Sequence, residues 1–143
     1  MAKPIVHAAS SARRYGGKME DYFPLHDFMD NSKGAIADNR HRALTHNSWF
    51  ISTVIEKIHM PEHGWHGPVL INSQGRSVST RQLAEDHILE DFGGKFIPAA
   101  SDYLQELEVR DWMNNGRGGA VPPSFAKIEA KERRRQRDIR TAS

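Results

Sequence analysis

The amino-acid sequence predicts a mainly α-helical fold, a single compact helical domain with one small β-hairpin. The chain has 143 residues, of which 38% are hydrophobic and 27% charged, and this composition is typical of one globular core. Apolar residues recur at helical spacing in two stretches, 24–59 and 80–92. Residues 69–71 and 76–78 are β-prone and flank the turn-forming residues 72–75, which is the pattern of a hairpin.

Two helices are expected in the first part of the chain. Small residues at 8–12 favour a short helix that ends at the Gly16-Gly17 pair. A long helix is expected from about residue 24 to 59, because Pro24 suits a first turn and apolar residues follow on one stripe. The stripe consists of Met29, Ile36, Ala43, Ile51, Val54 and Ile58.

Polar residues inside this long stretch leave an alternative open. The cluster Asp30-Asn31-Ser32 and the following Gly34 are typical of helix ends, so the helix can instead break in two near residue 31. In either case the helix must end before Pro61. Residues 59–68 are rich in glycine and proline and are expected to form a loop.

The second half of the chain has clearer boundaries. Ser79 and Gln82 form a capping box for a helix over about 80–92, and Gly93-Gly94 ends that helix. A third helix is expected from Asp102 to about Arg110, with Leu104 and Leu107 facing inward.

A charge difference separates the two ends of the chain. Residues 126–143 contain seven Lys or Arg and three acidic residues, a net charge of +4, whereas the whole chain has a net charge of +2. We therefore predict a helical domain over residues 1–113 and a flexible linker with a basic tail over 114–143. Four arginines of the tail are candidates for contacts with nucleic-acid phosphates: Arg133, Arg134, Arg135 and Arg137.

Composition excludes several classes of site and location. The absence of cysteine excludes disulfides, thiolate zinc sites and a cysteine nucleophile. No apolar run approaches the length of a membrane helix, and the N-terminus does not match a secretory signal, so a soluble cytoplasmic protein is expected. Phosphate-binding loops, nucleophile elbows and His-Glu-x-x-His motifs are also absent.

Two predicted helices each carry an imidazole and a carboxylate four residues apart. The pairs are His26 with Asp30, and His87 with Asp91. Residues i and i+4 lie about 6 Å apart on one helix face, which suits ligands that converge on one ion. If the helices pack antiparallel, the four side chains form a site for Zn, Mn or Fe, since imidazole favours transition metals. The alternative is an ordinary polar contact for each pair at the edge of the core.

His41 and Lys33 are the predicted catalytic residues beside that site. His41 falls on the shoulder of the apolar stripe, where a half-buried acid/base or an ordinary core-edge histidine is expected. Lys33 falls on the stripe itself, so it either pairs with a carboxylate such as Asp30 or Asp91 or extends its amine to solvent. On a regular helix His46 lies about 140° from His41, which excludes it from the same site.

Three of the eight histidines lie together in the glycine- and proline-rich stretch 59–68: His59, His63 and His66. Histidine-rich tracts bind metals, but an unstructured tract is a poor preformed site. Exposed loop histidines are therefore the simpler interpretation.

Several short motifs occur together between residues 7 and 113. They are His7-Ala8, Gly16-Gly17-Lys18, Glu20-Asp21-Tyr22, Pro24-Leu25-His26-Asp27, Ser32-Lys33, Arg40-His41-Arg42-Ala43-Leu44, Asn72-Ser73, Gly75-Arg76, Glu90-Asp91 and Trp112-Met113. Together they resemble a family of small bacterial and phage proteins that form a domain of unknown function. The resemblance implies a shared fold and shared polar positions without an assigned activity. These positions are His26, Asp30, Lys33, His41, His46, His87 and Asp91. Residues 59–68 and the basic tail depart from the family pattern.

The sequence leads to two functional hypotheses. The first is a metal-binding protein, with metal-dependent hydrolysis as the activity such a site would support, because a metal lowers the pKa of a bound water. In that mechanism the two His/Asp pairs hold the ion and His41 acts as acid/base. The alternative is a non-enzymatic phage or bacterial interaction protein, whose domain docks a protein partner while the basic tail contacts nucleic acid.

Overall fold

The computed structural model describes the backbone of residues 3–142, and the side chains of that range apart from 126–130 and 141–142. Lys127 and Glu129 of the predicted tail charge therefore lie outside the described side chains. The chain divides into two compact units, Met1–Glu106 and Leu107–Ser143. The predicted boundary between residues 113 and 114 stays a prediction, and the two units are described separately.

The architecture is mainly α-helical with a small antiparallel sheet, which confirms the predicted fold class. The α-helices are α1 (Pro4–Tyr15), α2 (Met19–Asp30), α3 (Arg42–Thr45), α4 (Ser48–Thr53), α5 (Thr80–Asp91), α6 (Ala100–Leu104) and α7 (Pro123–Ala142). The strands are β1 (His59–Met60), β2 (Trp65–His66), β3 (Val69–Ile71) and β4 (Ser77–Ser79). Short 3-10 helices lie at Asn31–Gly34, Asn39–His41, Ile55–Lys57, Pro61–His63, Asp111–Met113 and Arg117–Gly119.

The long helix expected over 24–59 is wrong, because polar side chains break it at several points. α2 already begins at Met19 and ends at Asp30, where a 3-10 turn follows. Asp38 then accepts a hydrogen bond from the Arg40 amide at 2.8 Å and starts a new turn. Asn47 caps α4 in the same way. Residues that bond readily to nearby backbone therefore override the apolar periodicity.

The sheet contains the predicted hairpin and extends it. β3 and β4 pair in antiparallel register, with Leu70 opposite Val78, so the hairpin prediction is confirmed. The expected loop over 59–68 instead contributes β1 and β2, and the strand order is β1-β2-β3-β4. Gly64 permits this close connection: its φ is +69°, and a Cβ atom there would collide with the Ile71 carbonyl oxygen.

The helix predicted over 80–92 is confirmed, whereas the third predicted helix is shorter than expected. Ser79 Oγ accepts a hydrogen bond from the Gln82 amide at 3.1 Å and begins α5, which is one half of the predicted capping box. The Gln82 side chain instead donates to Asp86 Oδ1 at 2.9 Å. α6 ends at Leu104. The side chains of Leu104 and Leu107, expected to face inward, are instead 60% and 61% exposed, so little apolar burial supports continuation of the helix.

The hydrophobic core of the first unit lies where α1, α2 and α5 meet the sheet. α2 contacts both α1 and α5, and buried apolar residues fill the space between these elements. The fully buried large side chains include Tyr22, Leu25, Met29, Ile55, Trp65, Leu83 and Ile88. Within residues 3–142, no helix combines the length and the apolarity needed to cross a membrane.

Candidate metal centre

Buried polar residues from three helices and one irregular segment meet inside the Met1–Glu106 unit. They are His7 and Ser11 from α1, His26 and Asp30 from α2, Ser32, His41, Thr45 and His46 from the segment between α2 and α4, and His87, Glu90 and Asp91 from α5. Apart from Glu90, each of these side chains is less than a tenth exposed. We call this group the polar cluster.

Two imidazole nitrogens and two carboxylate oxygens face each other at the middle of the polar cluster. His46 Nε2 lies 2.9 Å from Asp91 Oδ2 and 3.6 Å from Asp30 Oδ1. His87 Nε2 lies 3.2 Å from Asp30 Oδ1 and 3.5 Å from Asp91 Oδ2. One ligand atom from each residue lies within 4.8 Å of the other three. Asp30, His46, His87 and Asp91 therefore form a compact four-donor set.

His26, the remaining predicted ligand, lies behind His87. The Nδ1 atoms of the two rings are 2.8 Å apart, and His26 Nε2 lies 2.8 Å from Ser11 Oγ. Burial lowers the pKa of His26 well below its usual value, and the neighbouring His87 and His7 lower it further. His26 is therefore a neutral imidazole whose two nitrogens face His87 and Ser11.

His46 holds the fourth place in the donor set, although the regular-helix argument excluded it. That argument is wrong because the chain turns repeatedly between Asp30 and Thr45, so helical angles do not apply there. The break signals at Asp30-Asn31-Ser32 and Gly34 were the sequence features that could have indicated this.

The charge states of the donors favour a cation. Burial raises the pKa of Asp30, but the hydrogen bond from His87 and the charges of His87, Lys33 and His46 together outweigh it, and the pKa falls below its usual value. Burial likewise raises the pKa of Asp91, but the contacts with His46 and His7 and the charges of His87 and His7 together outweigh it and lower the pKa. Burial lowers the pKa of His87 to about 4 despite its hydrogen bond to Asp30. At neutral pH the set thus contains two carboxylates and a neutral His87.

His7 places a positive charge beside the set, and spacing rules did not identify it. Its Nδ1 lies 3.0 Å from Glu90 Oε2, its Nε2 lies 3.2 Å from Asp91 Oδ1, and its ring stacks on His87 at 3.8 Å between centroids. Burial lowers the pKa of His7, but hydrogen bonds and charges from Asp91 and Glu90 outweigh it and raise the pKa to about 9. His7 therefore balances part of the carboxylate charge at neutral pH.

A chain of hydrogen bonds leads from His46 to His41. Thr45 Oγ1 donates to the Met29 carbonyl at 2.7 Å. Thr45 Oγ1 lies 2.8 Å from His46 Nδ1 and 3.1 Å from Ser32 Oγ, and Ser32 Oγ lies 2.7 Å from His41 Nδ1. Because the single Thr45 proton goes to the carbonyl, the hydroxyl accepts from its other two neighbours. His46 and His41 therefore both carry a proton on Nδ1.

The two predicted catalytic residues lie next to the donor set. His41 is fully buried rather than half-buried, and its Nε2 has no hydrogen-bond partner among the described residues. Burial lowers the pKa of His41, and the neighbouring His46 lowers it further. Lys33 Nζ lies 3.6 Å from Asp30 Oδ2, while its side chain is 33% exposed, so the lysine pairs with a donor carboxylate and also reaches solvent. Their catalytic roles stay predictions.

The arginines of the basic tail lie on α7 in the other unit. The four candidate residues Arg133, Arg134, Arg135 and Arg137 are all exposed. Arg135 forms an ion pair with Glu132 at 3.3 Å on the same helix. The tail therefore presents a basic helical surface.

Comparison with known proteins identifies a family without an assigned role. A family model described as Domain of unknown function (DUF6915) matches residues 2–113, so the chain belongs to this family. Neither the curated proteins nor the solved structures provide a match to the chain.

Proposed function

We propose that this member of the DUF6915 family binds one divalent transition-metal ion through Asp30, His46, His87 and Asp91. The observation that carries the proposal is the spacing of the four donor atoms. In a tetrahedral site with bonds of about 2.0–2.1 Å, neighbouring donors lie about 3.4 Å apart. The four nitrogen–oxygen separations are 2.9, 3.2, 3.5 and 3.6 Å and bracket that value, while the nitrogen–nitrogen and oxygen–oxygen separations, within 4.8 Å, would have to shorten where they exceed it. An ion would therefore fit with small side-chain movements.

The protonation of His46 supports the same proposal. Its proton on Nδ1 is directed at Thr45, so in the neutral ring the Nε2 lone pair points at the Asp91 carboxylate, 2.9 Å away. Two electron-rich atoms at this distance repel each other unless a positive charge lies between or on them. A metal ion supplies that charge, and a protonated His46 is the alternative.

His26 provides the partner that His87 needs in a metal complex. Without an ion, the Asp30 carboxylate only accepts, so His87 donates from Nε2 and its Nδ1 accepts from His26. When Nε2 binds an ion, the proton moves to His87 Nδ1 and is donated to His26. His26 then donates from its Nε2 to Ser11, whose hydroxyl can accept as well as donate. The His26 and His87 rings therefore each carry one proton, both with and without the ion.

The donor types favour Zn²⁺, Mn²⁺ or Fe²⁺ over Ca²⁺ and Mg²⁺. Imidazole nitrogens prefer transition metals, whereas calcium and magnesium prefer shells of oxygen ligands. Among the three, Zn²⁺ is the ion that most often takes four ligands in a tetrahedron. We therefore infer zinc as the first ion to test.

A metal-dependent hydrolase is the narrower form of this proposal. Catalytic zinc sites keep one position for water, whereas four protein ligands fill a tetrahedral shell. Hydrolysis would need water to replace one carboxylate or to add as a fifth ligand. The fully buried His41, with a lone pair on Nε2, is then the candidate base.

Metal analysis of untagged protein tests the proposal. We expect about one ion per chain and a higher melting temperature when zinc is added to protein stripped with a chelator. At a free ion concentration of 100 times Kd, the gain in unfolding free energy is about 2.7 kcal/mol. The Asp91→Asn and His87→Ala variants should lose the ion and the shift.

Asp27→Asn is the matched control, because Asp27 also lies on α2 but makes no hydrogen bond within the described residues. It should bind zinc as the unmodified protein does. Metal-free protein whose melting responds neither to zinc, manganese and iron nor to a chelator would overturn the proposal. The polar cluster would then be a charge-balanced network stabilised by His7 and Lys33.

A second candidate function is an interaction protein that contacts nucleic acid. The exposed arginines of α7 favour it, because a basic helix attracts phosphates without regard to base sequence. Phe125 is an exposed aromatic residue at the start of α7. Residues 131–140 contain no aromatic side chain, so we do not expect them to stack on bases.

A further inference from the structure

Two histidines outside the polar cluster lie directly opposite each other on neighbouring strands. His59 of β1 and His66 of β2 are register partners, and their ring centroids are 5.3 Å apart. The Gly67 amide donates to the Ile58 carbonyl at 2.7 Å, so the adjacent pair 58/67 is the hydrogen-bonded one. His59 and His66 therefore form a non-hydrogen-bonded pair, the arrangement in which opposing side chains approach most closely.

This histidine pair faces away from the core. The next pair in the register is Met60 with Trp65, and Trp65 is fully buried, so successive side chains place the imidazoles on the opposite face. His59 is exposed and His66 is partly exposed. Within the part of the chain that the structure describes, neither ring has a hydrogen bond or an ion pair. Hydrogen bonds and ion pairs therefore do not account for the pair.

Contacts on both sides fix the backbone that carries the pair. Trp65 Nε1 donates to the Ile55 carbonyl at 3.2 Å and anchors β2. The turn at Gly64 is held against β3, since the Gly64 carbonyl accepts a hydrogen bond from the Ile71 amide at 2.8 Å. Binding of one ion by both rings then requires only side-chain rotation, so little conformational entropy is lost.

We propose that His59 and His66 form a surface site for one divalent late transition-metal ion, with water as the remaining ligands. Imidazole sites bind Cu²⁺ more tightly than Zn²⁺ or Ni²⁺, so Cu²⁺ is the most sensitive probe of this site. The site differs from the buried centre in both donor number and exposure. It does not depend on the function proposed for the polar cluster.

Copper titration of the full chain, followed by amide NMR, tests this site directly. Paramagnetic Cu²⁺ should broaden the signals of residues 59, 60, 65 and 66, in addition to any broadening around the buried centre. The His59→Ala and His66→Ala variants should each bind copper on the order of 100-fold more weakly, because one-point attachment replaces two. His63→Ala is the matched control, since His63 is exposed in the same hairpin but has no register partner. It should bind as the unmodified protein does.

A titration that leaves the signals of residues 59, 60, 65 and 66 unbroadened, or an equal loss of affinity in His63→Ala, would overturn the surface site. The same titration in Asp91→Asn protein separates it from the buried centre. Copper binding at the hairpin should persist in that variant even though zinc binding in the polar cluster is lost. If the hairpin signals instead lose their response in Asp91→Asn, the proposed independence of the two sites is wrong.

Discussion

The Met29 carbonyl determines the protonation of two histidines that do not touch it. It accepts the only proton of the Thr45 hydroxyl, and that hydroxyl then accepts from His46 Nδ1 and from Ser32. In its neutral form, His46 is thereby left with its Nε2 lone pair in the donor set. Fixing a ligand's tautomer through an outer hydrogen bond is a common device in metal sites and raises metal affinity.

Replacing Thr45 by valine should weaken metal binding by about 10- to 100-fold. Valine keeps the shape of threonine but has no hydroxyl, so His46 Nδ1 loses its acceptor and its tautomer is no longer fixed. Isothermal titration with zinc measures the change. The cobalt-substituted protein reports it independently, because the visible spectrum depends on ligand geometry.

Thr45→Ser restores the hydroxyl and should recover most of the affinity. Unchanged zinc binding in Thr45→Val would mean that the hydroxyl does not position His46. If serine weakens binding as much as valine does, the hydroxyl alone does not position His46, and the threonine methyl group is needed as well.

The sequence predicted three of the four donor residues but not the contacts that complete the site. The i,i+4 rule found Asp30, His87 and Asp91, because each lies in or at the end of a regular helix. It could not find His46, whose position depends on turns made by side-chain bonds across the fold. It also could not find His7, which meets Asp91 across 84 positions of sequence.

The Asp21 carboxylate joins the start of α2 to the β3–β4 turn. Asp21 accepts hydrogen bonds from the Lys18 amide at 2.8 Å, the Ser73 amide at 3.0 Å and Ser73 Oγ at 2.7 Å. These bonds connect a helix that carries site residues to the sheet. Burial raises the pKa of Asp21, but the bonds from Lys18 and Ser73 outweigh this and lower it.

The Asp21→Asn variant should be destabilised by about 1–3 kcal/mol at pH 7, because charge-assisted bonds become neutral ones. The lowered folded-state pKa means that the stabilisation is present above the unfolded pKa of about 3.9 and is lost as the pH falls through the folded value. The difference in unfolding free energy should therefore shrink below about pH 4. Urea unfolding from pH 7 to pH 3 measures it.

Asp27→Asn on the same helix controls for the change of net charge and should leave stability almost unchanged. If the unfolding free energies of Asp21→Asn and the unmodified protein differ by the same amount at every pH from 7 to 3, the charge of Asp21 does not stabilise the fold.

Elements with local signals were predicted, and elements set by distant contacts were not. α5 has its own cap at Ser79 and a glycine stop, so its limits follow from nearby residues alone. The β3–β4 hairpin likewise follows from its turn. The segment after Asp30 keeps a helical apolar pattern, but its Ser32 and Thr45 side chains bond to residues 9 and 16 positions away, beyond the reach of one helical turn. Periodicity alone cannot reveal that competition.

Charge along the chain is concentrated at its C-terminal end. Residues 126–143 have a net charge of +4 within a chain of net charge +2, so the remainder has a net charge of −2. A basic segment of this kind binds nucleic acid by releasing counterions, and its affinity then falls steeply with salt.

Replacing Arg133, Arg134, Arg135 and Arg137 together by glutamine should weaken binding to duplex DNA. It should also reduce the slope of log affinity against log salt by about 3 to 4, since each phosphate contact contributes about 0.9. Fluorescence anisotropy from 50 to 200 mM salt measures both. The corresponding lysine variant keeps the charge and should retain binding. Equally tight binding by protein lacking residues 120–143 would exclude the tail as the contact.

The depth of the polar cluster has a kinetic consequence. The side chains of His46 and His87 are fully buried and those of Asp30 and Asp91 are nearly so, so a bound ion could leave only when the surrounding helices separate. The lifetime of the complex would then be set by this local opening rather than by the metal–ligand bonds. The composition of the medium in which the chain first folds would decide which ion it holds long afterwards.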